Sequence, residues 1–197
     1  MVYARLVKIM PRTQKEQTAK TDVTMKNKRE TTAPASSQRK ITLERVYRAT
    51  VEELWELWTS KEGLESWWGP EGFATTVRRL ELRPGGKFEY EMTATGQEQV
   101  EAMKRANLPL TSRAHGTYGE VTPRRRLAYR TVADFIPDVK PYEVGAVIDF
   151  HIVPLGVRLT VTEDLMHNEE WTKMSEMGMS SSLDRLGKVL EGRKVKK

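Results

Sequence analysis

The chain has 197 residues, of which 38% are hydrophobic and none is cysteine, so it suits one globular domain and excludes disulfides, thiolate metal sites and cysteine nucleophiles. No stretch approaches the roughly 20 uninterrupted apolar residues of a membrane span. The net charge of +6 resides in residues 1–40, which carry +7 and leave −1 for residues 41–197, so we expect no nucleic-acid partner.

Residues 1–38 are rich in Lys, Thr, Gln and Ser and show neither helical nor strand periodicity. We expect a basic, disordered extension. The alternatives are an organelle-targeting presequence, a basic arm for an acidic partner, or an upstream start codon with Met25 as the start. The first ten residues contain no hydrophobic block and no small-residue cleavage site, which argues against a secretory signal. Together with the missing cysteines, this favours a cytoplasmic protein.

The folded part is predicted to begin with a strand and two short helices. Residues 41–47 alternate as in a strand, and Thr50-Val51-Glu52-Glu53 forms a capping box before an amphipathic helix. A second short helix runs from Lys61 to Trp67. Four of the five tryptophans fall between residues 55 and 68. Most must belong to the core, and the alternative places one or two at the mouth of a pocket.

Strands with short turns occupy most of residues 77–164. Phe88, Tyr90 and Met92 alternate with polar residues after the tight turn Pro84-Gly85-Gly86, which predicts a half-buried strand. Gln97 to Asn107 interrupts the series as a short helix, either a lid or, more simply, the cover of a sheet edge. The other predicted strands are residues 77–83, 114–121, 127–133, 144–152 and 157–162.

Asn168 to Leu190 predicts one long amphipathic helix, capped by Asn168. Its apolar side is bulky at both ends but small in the middle, at Ser175, Gly178 and Ser182. Serine and glycine are mediocre helix formers, so helix propensity does not explain them. Either the helix backbone closely approaches another element there, or the helix roofs a cavity.

The order of elements predicts an α+β fold: a curved antiparallel sheet of about six or seven strands, two short helices after strand 1, and the long C-terminal helix over the concave face. The domain is expected to span residues 39–191, followed by a basic tail, 192–197. A sheet curved around a helix encloses space, so we predict a ligand cavity between the two.

Several motifs resemble, in this order, those of one known family: Arg45-Val46-Tyr47, Trp55-x-Leu57-Trp58, Trp67-Trp68-Gly69-Pro70-x-Gly72-Phe73, Leu82-Arg83-Pro84-Gly85-Gly86-Lys87-Phe88, Gly116-x-Tyr118-x-Glu120-Val121 and Leu183-x-x-Leu186. The family comprises the stand-alone bacterial relatives of the activator of heat-shock-protein-90 ATPase, in the START-like, Bet v-like helix-grip (SRPBCC) superfamily. The resemblance covers residues 41–190 and implies the helix-grip fold, which does not by itself define a function. Many relatives carry a Gly-Trp pair early in the last helix, whereas Met179 follows Gly178 here.

The predicted site is the cavity between the sheet and the C-terminal helix. We expect ten residues to line it: Trp67, Phe73, Phe88, Tyr90, Met92, His115, Tyr129, Phe150, Met174 and Gly178. The three histidines lie too far apart in sequence for a metal-binding helix, so we predict no metal site. Asp149 and His151 share the outer face of their strand and are interpreted as a surface ion pair. No catalytic residue and no cofactor are predicted.

Three functions remain open. The favoured one is non-enzymatic binding of a small hydrophobic or amphipathic molecule, as in a carrier or sensor. The second is an enzyme of the cyclase or aromatase type, in which His115 or Tyr129 acts as acid or base. The third, suggested by the resemblance, is a chaperone-binding module with a charged docking surface. The oligomeric state stays open.

Overall fold

The computed structural model describes residues 39–136 and 138–195, with side chains described as far as Arg193. The predicted extension, residues 1–38, lies outside the described residues, as does the end of the basic tail. The helices are α1 (Val51–Thr59), α2 (Lys61–Trp67), α3 (Gln97–Arg105) and α4 (Glu169–Val195). The strands are β1 (Lys40–Tyr47), β2 (Phe73–Leu80), β3 (Lys87–Ala94), β4 (Thr111–Thr122), β5 (Arg126–Ala133), β6 (Tyr142–Val153) and β7 (Gly156–Asp164).

The seven strands form one antiparallel sheet in the order β1-β7-β6-β5-β4-β3-β2. The consecutive strands β1 and β2 are therefore the two edges of the sheet, and α1 and α2 connect them. This confirms the predicted α+β helix-grip fold with its two short helices after the first strand. None of the helices in residues 39–136 and 138–195 combines the length and apolarity of a membrane span.

The two short helices begin as their sequences predict. Thr50 Oγ1 accepts a hydrogen bond from the Glu53 amide at 3.1 Å, and the Glu53 carboxylate accepts one from the Thr50 amide at 2.9 Å, which is the predicted capping box. Ser60 caps α2 by accepting from the Gly63 amide. On α2, Glu65 Oε1 accepts from the Val77 amide at 2.7 Å. This bond joins α2 to β2, whose outer backbone groups would otherwise lack partners at the sheet edge.

The long helix α4 begins as predicted, because Asn168 Oδ1 accepts from the Trp171 amide at 2.9 Å. It continues to Val195, five residues past the predicted end at Leu190. The Arg193 guanidinium explains part of this extension, since Nη1 donates to Glu56 Oε2 at 2.6 Å and joins the last turns to α1.

The C-terminal half of α4 is fixed to the rest of the domain by hydrogen bonds to backbone carbonyls. Arg185 Nη1 lies 2.7 Å from the Gly69 carbonyl oxygen and 3.0 Å from those of Pro70 and Phe73. The helix backbone also accepts a hydrogen bond, because the Tyr47 hydroxyl of β1 donates to the Leu183 carbonyl oxygen at 2.8 Å. The helix therefore holds both β1 and the loop that leads into β2.

We predict that Arg185→Met lowers the free energy of unfolding by about 2 kcal/mol, because three carbonyls lose a charged donor. The matched control is Arg158→Met, which removes an exposed guanidinium 3.8 Å from Glu44 and should cost less than about 0.5 kcal/mol. Urea denaturation followed by circular dichroism measures both. Equal losses in the two variants would show that the Arg185 contacts do not hold the loop.

Candidate ligand-binding cavity

A cavity of about 40 Å³ lies between the helix pair α1–α2 and the inner face of strands β2 to β5. Its lining is almost wholly apolar and rich in aromatic rings. The lining residues are Trp58, Leu64, Trp68, Thr75, Val77, Arg79, Leu80, Phe88, Glu89, Tyr90, Tyr118, Leu127 and Tyr129. None of them belongs to α4.

One wall of the cavity is a cluster of aromatic rings around Phe88. The ring centroid of Phe88 lies 5.1 Å from that of Tyr118 and 5.4 Å from that of Tyr129. Gly116 on β4 makes this arrangement possible, because a Cβ atom there would lie 2.4 Å from Phe88 Cζ. The glycine therefore lets the Phe88 ring lie across the neighbouring strand and complete the wall.

The opposite wall is built by two tryptophans. The Trp58 and Trp68 ring centroids lie 5.6 Å apart, and Trp68 contacts Tyr90 edge to face at 6.0 Å. Burial raises the pKa of Tyr90 well above its usual range, and the hydrogen bond with Trp68 opposes that rise. Because its pKa is raised, the Tyr90 phenol stays protonated at neutral pH. On the same wall, the Thr75 hydroxyl donates to the Trp68 carbonyl oxygen.

The cavity opens beside the end of β2. Its more exposed lining residues are Leu64 on α2, Arg79 and Leu80 on β2, and Glu89 on β3. The Arg79 guanidinium is paired with Glu81, with Nε 2.8 Å from Oε1. The mouth thus has Arg79 and Glu89 at its rim, whereas the interior is apolar.

A volume of about 40 Å³ accommodates about three water molecules. Such a space holds one small molecule or the apolar end of a larger one. Among the described parts of the chain, no three His, Asp or Glu side chains lie together as a metal site would require.

Three of the ten predicted site residues line this cavity: Phe88, Tyr90 and Tyr129. Four others are buried in the same core but outside the lining: Trp67, Phe73, Met92 and Phe150. Met174 packs against Phe135 and Trp171 in a separate small cluster.

The structure places His115 and Gly178 outside the lining of this cavity. On β4, Ala114, Gly116 and Tyr118 face inwards, so His115 is exposed on the outer face of the sheet. Gly178 is buried in α4 but lies outside the lining. The cavity found here is therefore under α1 and α2, and not under the small residues in the middle of α4.

A buried carboxyl group faces that part of α4 instead. Glu163 on β7 is 2% exposed, and Ser175 Oγ of α4 lies 3.5 Å from its Oε2. Burial raises the pKa of Glu163 to about 7, and the hydrogen bond from Ser175 opposes the rise. Asp164, the next residue in the strand, raises it further, and Glu163 in turn contributes to the raised pKa of Tyr90. The small side chain of Ser175 thus leaves room for Glu163.

Three lining residues carry signals that the sequence contains. Trp58 and Trp68 belong to the tryptophan-rich segment in which one or two rings were expected at a pocket. Tyr118 alternates with Gly116 within β4, so strand periodicity places both on one face. By contrast, Arg79 and Glu89 give no such signal, because charged residues at strand ends are usual on any protein surface.

We predict that the free energy of unfolding falls as the pH rises, because Glu163 loses its proton. Its pKa is raised from 4.5 to about 7 on folding, so the folded state holds the proton more tightly. The stabilisation from the protonated group is complete below pH 4.5 and is lost as the pH rises through about 7. Glu163→Gln should therefore gain about 3 kcal/mol relative to the wild type between those limits.

Urea denaturation across this pH range measures the effect. The matched control is Glu143→Gln, which changes an exposed glutamate on the neighbouring strand β6 and should leave the pH dependence unaltered. Parallel stability curves for the wild type and Glu163→Gln would contradict the prediction.

Comparisons with known proteins agree with this architecture. Residues 48–191 match the family model described as Activator of Hsp90 ATPase homolog 1-like protein. Protein CV1439 from Chromobacterium violaceum is 23% identical, with 77% of this chain and 96% of that one covered and a TM-score of 0.62. The AHSA1 protein from Silicibacter pomeroyi is 21% identical, with 79% and 99% covered and a TM-score of 0.62.

The solution structure of the AHSA1-like protein from Aeromonas hydrophila is 19% identical to this chain. The match covers 79% of this chain and 94% of the Aeromonas chain, with a TM-score of 0.62. At these identities the solved structures show a shared fold and nothing more. A search of curated proteins found no match. The family match spans most of the chain, which therefore belongs to the family of Activator of Hsp90 ATPase homolog 1-like proteins, with the helix-grip fold of the SRPBCC superfamily.

Proposed function

We propose that this domain binds a small hydrophobic or amphipathic molecule without catalysing a reaction, and that the apolar end of the ligand enters the aromatic cavity under α1 and α2. The observation that supports this most is the apolar space itself, which is partly open to solvent. Well-packed interiors leave few voids larger than a water molecule, so an apolar space of about 40 Å³ with a mouth is a candidate binding site.

The distribution of charge favours an amphipathic occupant. Phe88, Tyr90 and Tyr129 offer apolar ring surface inside, whereas Arg79 and Glu89 lie at the mouth. A ligand longer than the cavity would therefore leave its polar end at the rim, in contact with water. The buried end gains about 25 cal/mol for each Å² of apolar surface removed from water.

An enzyme of the cyclase or aromatase type has weaker support. His115 lies on the outer face of the sheet and does not reach the cavity. The remaining candidates are tyrosines, and burial raises the pKa of Tyr90 and of Tyr118, so these phenols donate hydrogen bonds but are poor bases. Glu163 has the pKa of an acid–base group but is not part of the cavity lining.

A chaperone-binding module also has little support from the described residues. Its expected docking surface would present charges to a partner, but on the outer face of the sheet charges pair with one another. Arg126 lies 2.7 Å from Asp149, and Glu91 accepts from both Arg78 and Arg113. The Hsp90 activity in the family description belongs to the proteins for which the family is named.

Ethylbenzene is a suitable probe because its ethyl end is small enough for a space of about 40 Å³, while its ring can lie in the open mouth. We expect saturable binding, with a Kd of about 0.1 to 1 mM for a ligand of this size. Val77→Phe should weaken binding at least about tenfold, because the larger side chain fills the cavity. The matched control is Val147→Phe, on the outer face of β6, which should bind as the wild type does. NMR titration of amide resonances measures the affinities.

A second variant tests the same point in case Val77→Phe does not fold. Leu80→Trp narrows the mouth at a half-buried position and should also weaken binding. The proposal fails if ethylbenzene shifts no resonance of the residues that line the cavity. It also fails if the Val77→Phe and Val147→Phe variants bind the probe equally well.

A further inference from the structure

A carboxylate beside the mouth of the cavity has one oxygen left for a partner. Glu65 is half-buried on α2 and follows the lining residue Leu64 in the chain. Its Oε1 accepts a hydrogen bond from the amide of Val77, a second lining residue, at 2.7 Å. Within residues 39–136 and 138–193, no group donates to its Oε2 and no cation pairs with it. Oε2 is nevertheless not a buried unpaired atom, so solvent reaches it.

The same contacts place the carboxylate within reach of a molecule that leaves the cavity. The Val77 side chain lines the cavity, while its amide holds Glu65 in place. Leu64 belongs to the more exposed part of the lining, at the mouth. A ligand whose apolar end lies against Val77 and Leu64 therefore brings its outer end next to the Glu65 carboxylate.

The arginine at the rim is already paired. Arg79 Nε lies 2.8 Å from Glu81 Oε1, so its charge is balanced within the protein. Glu89 on β3 adds a second carboxylate to the rim. Arg113, whose pKa the charge of Glu89 helps to raise, is bound to Glu91 at 2.8 Å. The carboxylates of the mouth thus lack a bound cation among the described residues.

An anionic head group would find only solvated lysines. Lys61 on α2 and Lys87 on β3 are exposed and form no ion pair within the described part of the chain. Long exposed side chains contribute little to ion pairing, because holding them in one geometry costs entropy. Glu65 differs from them, since the Val77 amide already fixes its carboxylate. The mouth therefore favours a cation over an anion.

We propose that the amphipathic ligand carries a protonated amine at its polar end, and that this ammonium group donates to Glu65 while the apolar end fills the cavity. The inference rests on the proposed function and adds the chemical class of the ligand. A primary or secondary amine on an alkyl or aromatic body meets the requirement. The charge stays at the mouth, because the apolar interior offers nothing to replace the hydration of an ion.

A purely structural role is the competing explanation for Glu65, since its bond to Val77 joins α2 to the sheet edge. That bond needs one acceptor oxygen, which a glutamine also supplies. It uses neither the negative charge nor Oε2. Glu65→Gln therefore keeps the structural contact and removes the charge, which separates the two roles.

The test compares three probes that share an ethyl end and a ring and differ in the head group: para-ethylbenzylamine, para-ethylbenzyl alcohol and para-ethylbenzoic acid. We expect the full chain to bind the amine about fivefold more tightly than the alcohol, and the acid more weakly than the alcohol. NMR titration of amide resonances measures the affinities. Added sodium chloride should reduce the advantage of the amine over the alcohol, because salt screens an ion pair at a half-exposed site.

Glu65→Gln should weaken amine binding about fivefold and change alcohol binding less than about twofold. The matched control is Glu62→Gln, which removes the same charge from an exposed position on the same helix. It should weaken amine binding less than about twofold. Equal losses in the two variants would show that Glu65 does not contact the head group.

The comparison of probes on the unaltered protein does not depend on the folding of a variant. If the amine and the alcohol bind it equally well, or the acid binds more tightly than the amine, the ammonium inference is wrong and the proposed function stands. If neither ethylbenzene nor any of the three probes binds, both proposals fail.

Discussion

The packing of α4 across the concave face of the sheet is the constraint on which the rest of the structure depends. Its C-terminal half is bound to both ends of the connection between the sheet edges, through Tyr47 on β1 and through Arg185 at the loop before β2. Its N-terminal half lies over β7, where Ser175 meets the buried carboxyl of Glu163. These contacts hold the helix against the sheet. The described cavity lies beyond the helix, under α1 and α2.

The position of the cavity follows from the shape of its wall. Gly116 allows Phe88 to lie flat against the neighbouring strand, and the tryptophans of α1 and of the loop after α2 close the other side. Rings of this size pack edge to face and leave gaps that aliphatic chains would fill. The cavity therefore offers mainly apolar ring surface to a ligand.

The fold was predictable from the sequence because its signals are local. The capping box at Thr50, the cap at Asn168 and the alternation of the strands each act over a few residues, and short antiparallel connections leave few topologies. The cavity was not predictable, because its volume depends on side chains from strands that are far apart in the sequence. Glu163 continues the inward alternation of Val157, Leu159 and Val161, yet a glutamate is expected in solvent. The small side chains on α4 suggested a hollow, and Glu163 lies against one of them, Ser175.

The most direct test of where the hollow lies is a crystal structure of the protein under xenon pressure, since xenon enters dry apolar cavities and scatters strongly. The account predicts a xenon atom between Trp58, Phe88 and Tyr129, in contact with the rings that line the cavity. Xenon beneath the middle of α4, beside Gly178, would contradict it. So would the absence of xenon from the space under α1 and α2 while other apolar voids of the domain are filled.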